Sequence, residues 1–219
     1  MAPHPLSSWL APGLAVAAPL ALAVLEVVHP HPGDLLRLDT GVWLLVHYLQ
    51  ILLFPLAALA MTVLVRGRSD PAAHVCRVAM FVFAVSAVAF DVAAGVVTGV
   101  LSRAAQASPA PEAWRDAIAT IWSHPIIGGS REGAPVLAVV ATLAWLVGSL
   151  AAALACHRAG SSWGPVVLLV ISGLGLLAFR THAWPGGPLS FGAQAGAAAW
   201  RLAESDMAGV SVRDGRRPA

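Results

Sequence analysis

Seven ionisable residues lie in or beside the hydrophobic segments of this chain, and one topology places all of them near the same membrane face. They are Glu26, His29, His31, His47, Asp91, His124 and His182. An ionisable side chain at membrane depth is costly, so such a residue is a candidate for a functional role. The residue types therefore indicate where function lies, and they say much less about which function it is.

Glu26 and His29 form a Glu-x-x-His pair at the end of the first apolar segment. On a helix this spacing puts a carboxylate and an imidazole on one face, as in di-iron bundle proteins. A complete di-iron site needs two such pairs and two further glutamates, and this chain has one pair. The alternative is a helix that simply ends in the membrane interface, where polar groups cost little.

Histidines and a carboxylate together suit zinc, copper or iron. If the outer loops and the span ends converge, five side chains could share one metal ion or contact a haem. We predict this metal set to be Glu26, His29, His47, His124 and His182. The alternative is a scatter of unrelated histidines along the interface.

Two ionisable residues lie inside predicted spans: His47 is about one turn into the second span, and Asp91 is about two-thirds of the way along the third. A carboxylate at that depth costs roughly 2.5–3.5 kcal/mol, so Asp91 needs a partner, a proton or a hydrated cavity. We predict that the two line a pocket or relay protons, the alternative being a bond that only fixes helix packing. Gly95 and Gly99 continue the same helix face, and small residues at this spacing let another helix approach closely.

The composition is that of an integral membrane protein. Hydrophobic residues make up 58% of the 219 residues and charged residues 11%, against roughly 25% charged in soluble domains. The net charge of +2, without a basic and aromatic patch, gives no reason to expect a nucleic-acid partner. The expected surroundings are the lipid bilayer and, as an alternative, other membrane subunits.

Hydropathy predicts an all-α bundle of six transmembrane helices, each about 20 residues long. The segments are Leu10–Val28, Val42–Val65, Val75–Leu101, Ala134–Cys156, Trp163–Phe179 and Pro188–Ala203, the last being the shortest. In the long outer loop between the third and fourth segments, Trp114, Ile118, Ile121 and Trp122 predict a short amphipathic helix.

All 13 basic residues are arginine, and their placement predicts the orientation. Arg66, Arg68 and Arg77 crowd one short loop, and further arginines follow the sixth segment. The positive-inside rule then puts both termini in the cytoplasm of a cell-membrane protein. We predict one transmembrane domain, residues 1–208, followed by a disordered cytoplasmic tail, residues 209–219.

Three stretches carry a resemblance to known sequences: Trp43–Gln50, Phe90–Leu101 and His182–Gly192. Together they resemble a group of uncharacterised multi-pass bacterial membrane proteins. In that group a helix follows the His-Pro-Gly segment, so the resemblance implies a sixth helix here. It implies no activity.

Four classes of function remain open from the sequence. They are metal or haem binding, small-solute or proton-coupled transport, a membrane-embedded enzyme that uses the same groups as acid and base, and a structural or assembly subunit. The sequence has no P-loop, no Gly-x-Ser-x-Gly, no His-Glu-x-x-His and no Rossmann glycine pattern. It therefore does not decide whether the protein is an enzyme.

Overall fold

A computed structural model describes residues 5–31, 33–130 and 134–214, with side chains described for residues 13–31, 33–130 and 134–204. The described chain is helical and contains no strand, which confirms the prediction of an all-α fold. Its α-helices are α1 (Pro5–Val27), α2 (Thr40–Leu64), α3 (Pro71–Phe90), α4 (Thr98–Ala107), α5 (Arg115–Trp122), α6 (Val136–Arg158), α7 (Trp163–Phe179) and α8 (Gly186–Asp214).

A π-helical segment, Asp91–Val97, joins α3 to α4, so Pro71–Ala107 forms one continuous helix. Three helices are long and apolar enough to cross a membrane: Thr40–Leu64, Pro71–Ala107 and Val136–Arg158. Two shorter apolar helices accompany them, Gly13–Val27 and Trp163–Phe179. By length and composition, three helices among the described residues could therefore span a membrane, whereas the sequence predicted six spans.

Six helices close into a ring around one core. Each of α1, α2, α3, α6, α7 and α8 packs against the next, and α8 packs back against α1. Four aromatic side chains fill the centre: Phe54, Phe83, Trp145 and Phe191. Successive ring centroids in this cluster, from Phe54 to Phe83 to Trp145 to Phe191, are 5.9, 4.6 and 5.0 Å apart, so the middle of the bundle is solidly packed.

Helix starts follow ordinary capping chemistry. Asp39 accepts hydrogen bonds from the backbone N–H groups of Gly41 and Val42 at the start of α2. Asp70 accepts from Ala73 at the start of α3, where Pro71 occupies the first turn. These side chains satisfy N–H groups that have no partner within the helix.

The segment between α1 and α2 carries two histidines and is held firmly from one side. Gln106 of α4 donates to the carbonyl oxygens of Leu36 and Leu38 at 3.1 and 2.8 Å. Ile118 of α5 packs against Leu36, so the outer-loop helix also braces this segment. The structure thus contains the short helix that the sequence predicted in the long loop, preceded by a 3₁₀ turn, Pro111–Trp114.

The last helix, α8, runs to Asp214. The domain division at residue 208 and the disordered tail stay predictions. Residues 215–219 lie outside the described part of the chain.

Candidate functional site

A cavity of about 640 Å³ lies at one end of the bundle, where α1 ends and α2 begins. We call this the histidine end, since His29, His47 and His182 all line the cavity there. Aromatic and small side chains form most of the remaining wall, and α2, α3, the π-helical segment, α6 and α7 all contribute to it. Polar side chains from distant parts of the sequence, among them His29, His47, Asp91 and His182, therefore line one cavity.

Glu26, His29 and His182 form the tightest group at this end. Each offers one ligand atom, and the three atoms all lie within 4.8 Å of one another. Glu26 lies in the last turn of α1, and His29 follows that helix. His182 lies between α7 and α8. The ring closure of the bundle brings α8 against α1, and this contact joins the two parts of the group.

Glu26 is fully buried and well supported. Its Oε1 accepts a hydrogen bond of 2.7 Å from the Gln50 side-chain amide, and its Oε2 lies 3.2 Å from His182 Nδ1. The first turn of α8 also lies against it, because a Cβ built on Gly187 would be 2.8 Å from Glu26 Cγ. The same Cβ would be 1.6 Å from the carbonyl oxygen of His182, so only glycine fits at this position.

His29 presents a lone pair without a partner. Its Nδ1 lies 2.9 Å from the carbonyl oxygen of Pro30, and a carbonyl can only accept, so Nδ1 carries the proton. Its Nε2 is buried and has no hydrogen-bond partner. Burial lowers the pKa of His29 well below its usual range, and the nearby His182 and His47 lower it further. The ring is therefore neutral, with Nε2 available as a ligand.

His47 shows the same pattern on α2. Its Nδ1 donates a hydrogen bond of 2.6 Å to Gln50 Oε1, and its Nε2 is buried without a partner. Asp91 Oδ1 lies 3.1 Å from the same Nδ1, but the single N–H already points to Gln50, and neither Asp91 oxygen has a hydrogen-bond partner. Both side chains are almost completely buried.

The π-helical segment shapes the wall that faces His47. Such segments are rare and are frequently found at functional sites. Gly95 within it lies directly against the His47 ring, since a Cβ there would be 2.3 Å from His47 Cδ2. The Gly95 carbonyl oxygen accepts a 2.7 Å hydrogen bond from Trp43 Nε1. One turn further on, a Cβ on Gly99 would be 2.6 Å from Trp43 Cδ1, so both glycines allow close approach of α2.

We expect Trp43→Phe to lower the stability of the folded protein by about 1 kcal/mol, because the Gly95 carbonyl loses its side-chain donor. Trp163→Phe is the matched control, since that indole is 68% exposed. Thermal unfolding in the same detergent compares the two. Equal melting temperatures for the two variants would show that the Trp43 hydrogen bond contributes nothing.

Two further histidines that the sequence places on the outer side, His31 and His124, lie outside the group of Glu26, His29 and His182. His31 lines the cavity, with its ring centroid 6.0 Å from that of His29. His124 stays in its own loop, where Nδ1 accepts from the backbone N–H of Ile126 at 3.2 Å. The structure therefore brings Glu26, His29, His47 and His182 together and leaves His124 outside the cavity lining.

Gln50 is the member of the site that sequence reasoning missed. It is fully buried and joins His47, Glu26 and, at 3.3 Å, His182 Nδ1. A signal existed, because an amide three residues after His47 in an apolar helix shares its face. The π-helical segment and the close approach at Gly187 had no comparable signal.

Comparisons with known proteins add no identity. No protein-family model, no curated protein and no solved structure matches this chain. Any inference about function therefore rests on the geometry and chemistry of the site.

Proposed function

We propose that this is a multi-pass membrane protein that binds one divalent transition-metal ion at the histidine end. Glu26, His29 and His182 are the proposed ligands, with His47 as a neighbour that could complete the coordination. The observation that carries the proposal is that one ligand atom from each of the three residues lies within 4.8 Å of the others.

The spacing suits a single ion. Nitrogen and oxygen ligands bind zinc at roughly 2.0–2.2 Å, so two ligands of one ion are at most about 4.4 Å apart. Small movements of the side chains would bring the group into that range. The hydrogen bonds that orient these ligands are also present. His29 Nδ1–H donates to the backbone carbonyl of Pro30, and the Gln50 amide donates to Glu26. Metal-binding histidines and carboxylates are typically oriented in this way.

Two imidazoles and one carboxylate are the ligand set of catalytic zinc sites and of non-haem iron(II) sites, both of which keep an open position. The set suits a single ion better than a haem held between two histidines. The rings of His29 and His182 are in edge contact, with centroids 5.0 Å apart, which leaves no room for a porphyrin plane between them.

The test of the proposal is a titration of the chelator-treated protein with Zn²⁺ and Co²⁺ in detergent. We expect one ion per chain, and a Co²⁺ absorption spectrum typical of nitrogen and oxygen ligands. Glu26→Gln should weaken the binding, and Glu204→Gln on α8 is a control, because that carboxylate contacts Ser162 and lies outside the cavity lining. Equal Zn²⁺ affinities of these two variants would contradict the proposal.

For the membrane arrangement we propose six spans with both termini in the cytoplasm and the histidine end outside. The support is the ring of six helices, together with the arginines after α2 and at the end of the chain. Three of the helices meet the length and hydropathy that spanning requires.

Reporter fusions test this topology. We expect fusions after residues 70, 160 and 215 to report a cytoplasmic location, because the short arginine-rich loops stay inside. A fusion in the outer loop, after residue 109, should report the opposite side. If the fusion after residue 215 reported outside while that after residue 70 reported inside, the chain would have an odd number of spans.

Proton-coupled transport is a second candidate, favoured by one observation. Hydrogen bonds of 2.6 and 2.7 Å link His47 to Gln50 and Gln50 to Glu26, and Asp91 Oδ1 lies 3.1 Å from His47 Nδ1. The aromatic cluster of Phe54, Phe83, Trp145 and Phe191 packs the bundle core, so transport would require that cluster to open. Proton uptake by protein-loaded vesicles, compared with Asp91→Asn, tests this candidate.

A further inference from the structure

Three buried acceptor atoms lack a hydrogen-bond donor at one end of the cavity. They are His47 Nε2 and both carboxylate oxygens of Asp91. His47 and Asp91 line the cavity, and their exposed fractions are 3% and 1%. A buried acceptor without a donor costs about 1–3 kcal/mol, so this end of the cavity is suited to a ligand that donates hydrogen bonds.

The rest of the cavity is apolar and rich in aromatic rings. Phe54, Phe83, Phe90, Trp122 and Phe191 all contribute to its wall. Aromatic rings favour stacked or edge contacts with another ring. The volume of about 640 Å³ lies within the range of small-molecule sites, which is roughly 300–1,000 Å³.

The wall of the cavity also includes exposed apolar side chains. They are Val139 and Leu143 of α6 and Leu177 of α7. Because α6 is one of the helices apolar enough to span a membrane, this side would face lipid. Arg180 also lines the cavity and is exposed, so a positive charge sits at its rim and disfavours a cationic ligand.

We propose that this cavity binds a neutral, lipophilic phenol or hydroquinone that enters from the bilayer. Its hydroxyl group donates its one hydrogen bond to a carboxylate oxygen of Asp91, beside His47, and its ring packs among the aromatic side chains. This site goes beyond the proposed metal centre and does not depend on it, because its acceptor, Asp91, is not among the proposed metal ligands.

The test uses decylubiquinol as the probe, titrated calorimetrically into chelator-treated protein in nanodiscs. We expect saturable binding to one site per chain. The di-O-methyl ether of the same molecule has the same shape without the donors, and its affinity should be at least about 10-fold lower. Equal binding of the ether would overturn the proposal, and so would a co-purified phospholipid that decylubiquinol cannot displace.

Two variants locate the site. Asp91→Asn keeps the side-chain volume but changes the acceptors, and the affinity should fall at least about 10-fold. Ala138→Phe fills the cavity from α6 and should abolish binding, whereas Val140→Phe changes the same helix at a position outside the cavity lining. Equal affinities of the two α6 variants would overturn the proposal even if Asp91→Asn failed to fold. Zn²⁺ titration of the same samples tests the metal site separately. A variant that lost Zn²⁺ binding but still bound decylubiquinol would contradict the proposed metal centre and not the proposed phenol site.

Discussion

His29→Ala is expected to lower the affinity for Zn²⁺ by at least about 100-fold. Even residues that only orient a ligand are worth 10- to 100-fold in metal affinity, and the loss of a ligand should cost at least as much. His29 is neutral, with Nδ1 bound to the Pro30 carbonyl, so its Nε2 lone pair is available to the ion. A competition titration against a chromophoric chelator measures the change.

The matched control is His124→Ala. Both histidines lie in segments that we place on the outer side, but His124 interacts with its own loop through Ile126. We expect this variant to keep the affinity of the unmodified protein. If His124→Ala lost zinc binding while His29→Ala kept it, the ligand assignment would be wrong.

Gly95→Ala is expected to lower the stability of the fold by about 1–3 kcal/mol, the usual cost of overpacking. The new methyl group would lie 2.3, 2.5 and 2.7 Å from His47 Cδ2, Cγ and Nε2, so the ring must move. That movement would break the 2.6 Å hydrogen bond from His47 to Gln50 and open the packing beside Asp91. Thermal unfolding in detergent, with decylubiquinol binding measured on the same sample, gives both effects.

Gly192→Ala is the control for this substitution. Gly192 lies in α8, and a Cβ there would meet nothing within 4 Å. Alanine is favoured over glycine in a helix by roughly 1 kcal/mol, so this variant should be as stable as the unmodified protein or more stable. If both glycine variants melted at the same temperature, the close packing of His47 on Gly95 would contribute nothing to the stability of the folded protein.

The sequence was informative about the end of the molecule at which the polar groups meet. Helices that alternate in direction place the end of one span beside the start of the next, so Glu26, His29 and His47 had to be neighbours. His182 joins them because α8 closes the ring against α1, a contact that hydropathy alone does not specify.

Other parts of the site depend on local backbone geometry, which the sequence did not reveal. Nothing in the pattern around Asp91 signals a π-helical segment, since Asp91–Val97 is apolar apart from the carboxylate. His124 has the residue type of a ligand, but the path of its loop decides its position. The number of spans also does not follow from length and hydropathy alone. By those two criteria only three helices in the described chain could span a membrane, and the six-span arrangement rests in addition on the positions of the arginines.

The most direct test of the metal centre is a crystal structure of the zinc-loaded protein with data collected at the zinc absorption edge. We expect one anomalous peak per chain, roughly 2.0–2.2 Å from an oxygen of Glu26 and a ring nitrogen of each of His29 and His182. A peak held by other residues, such as the buried Cys76 and Cys156 thiols, or the absence of any peak at the histidine end, would contradict the account.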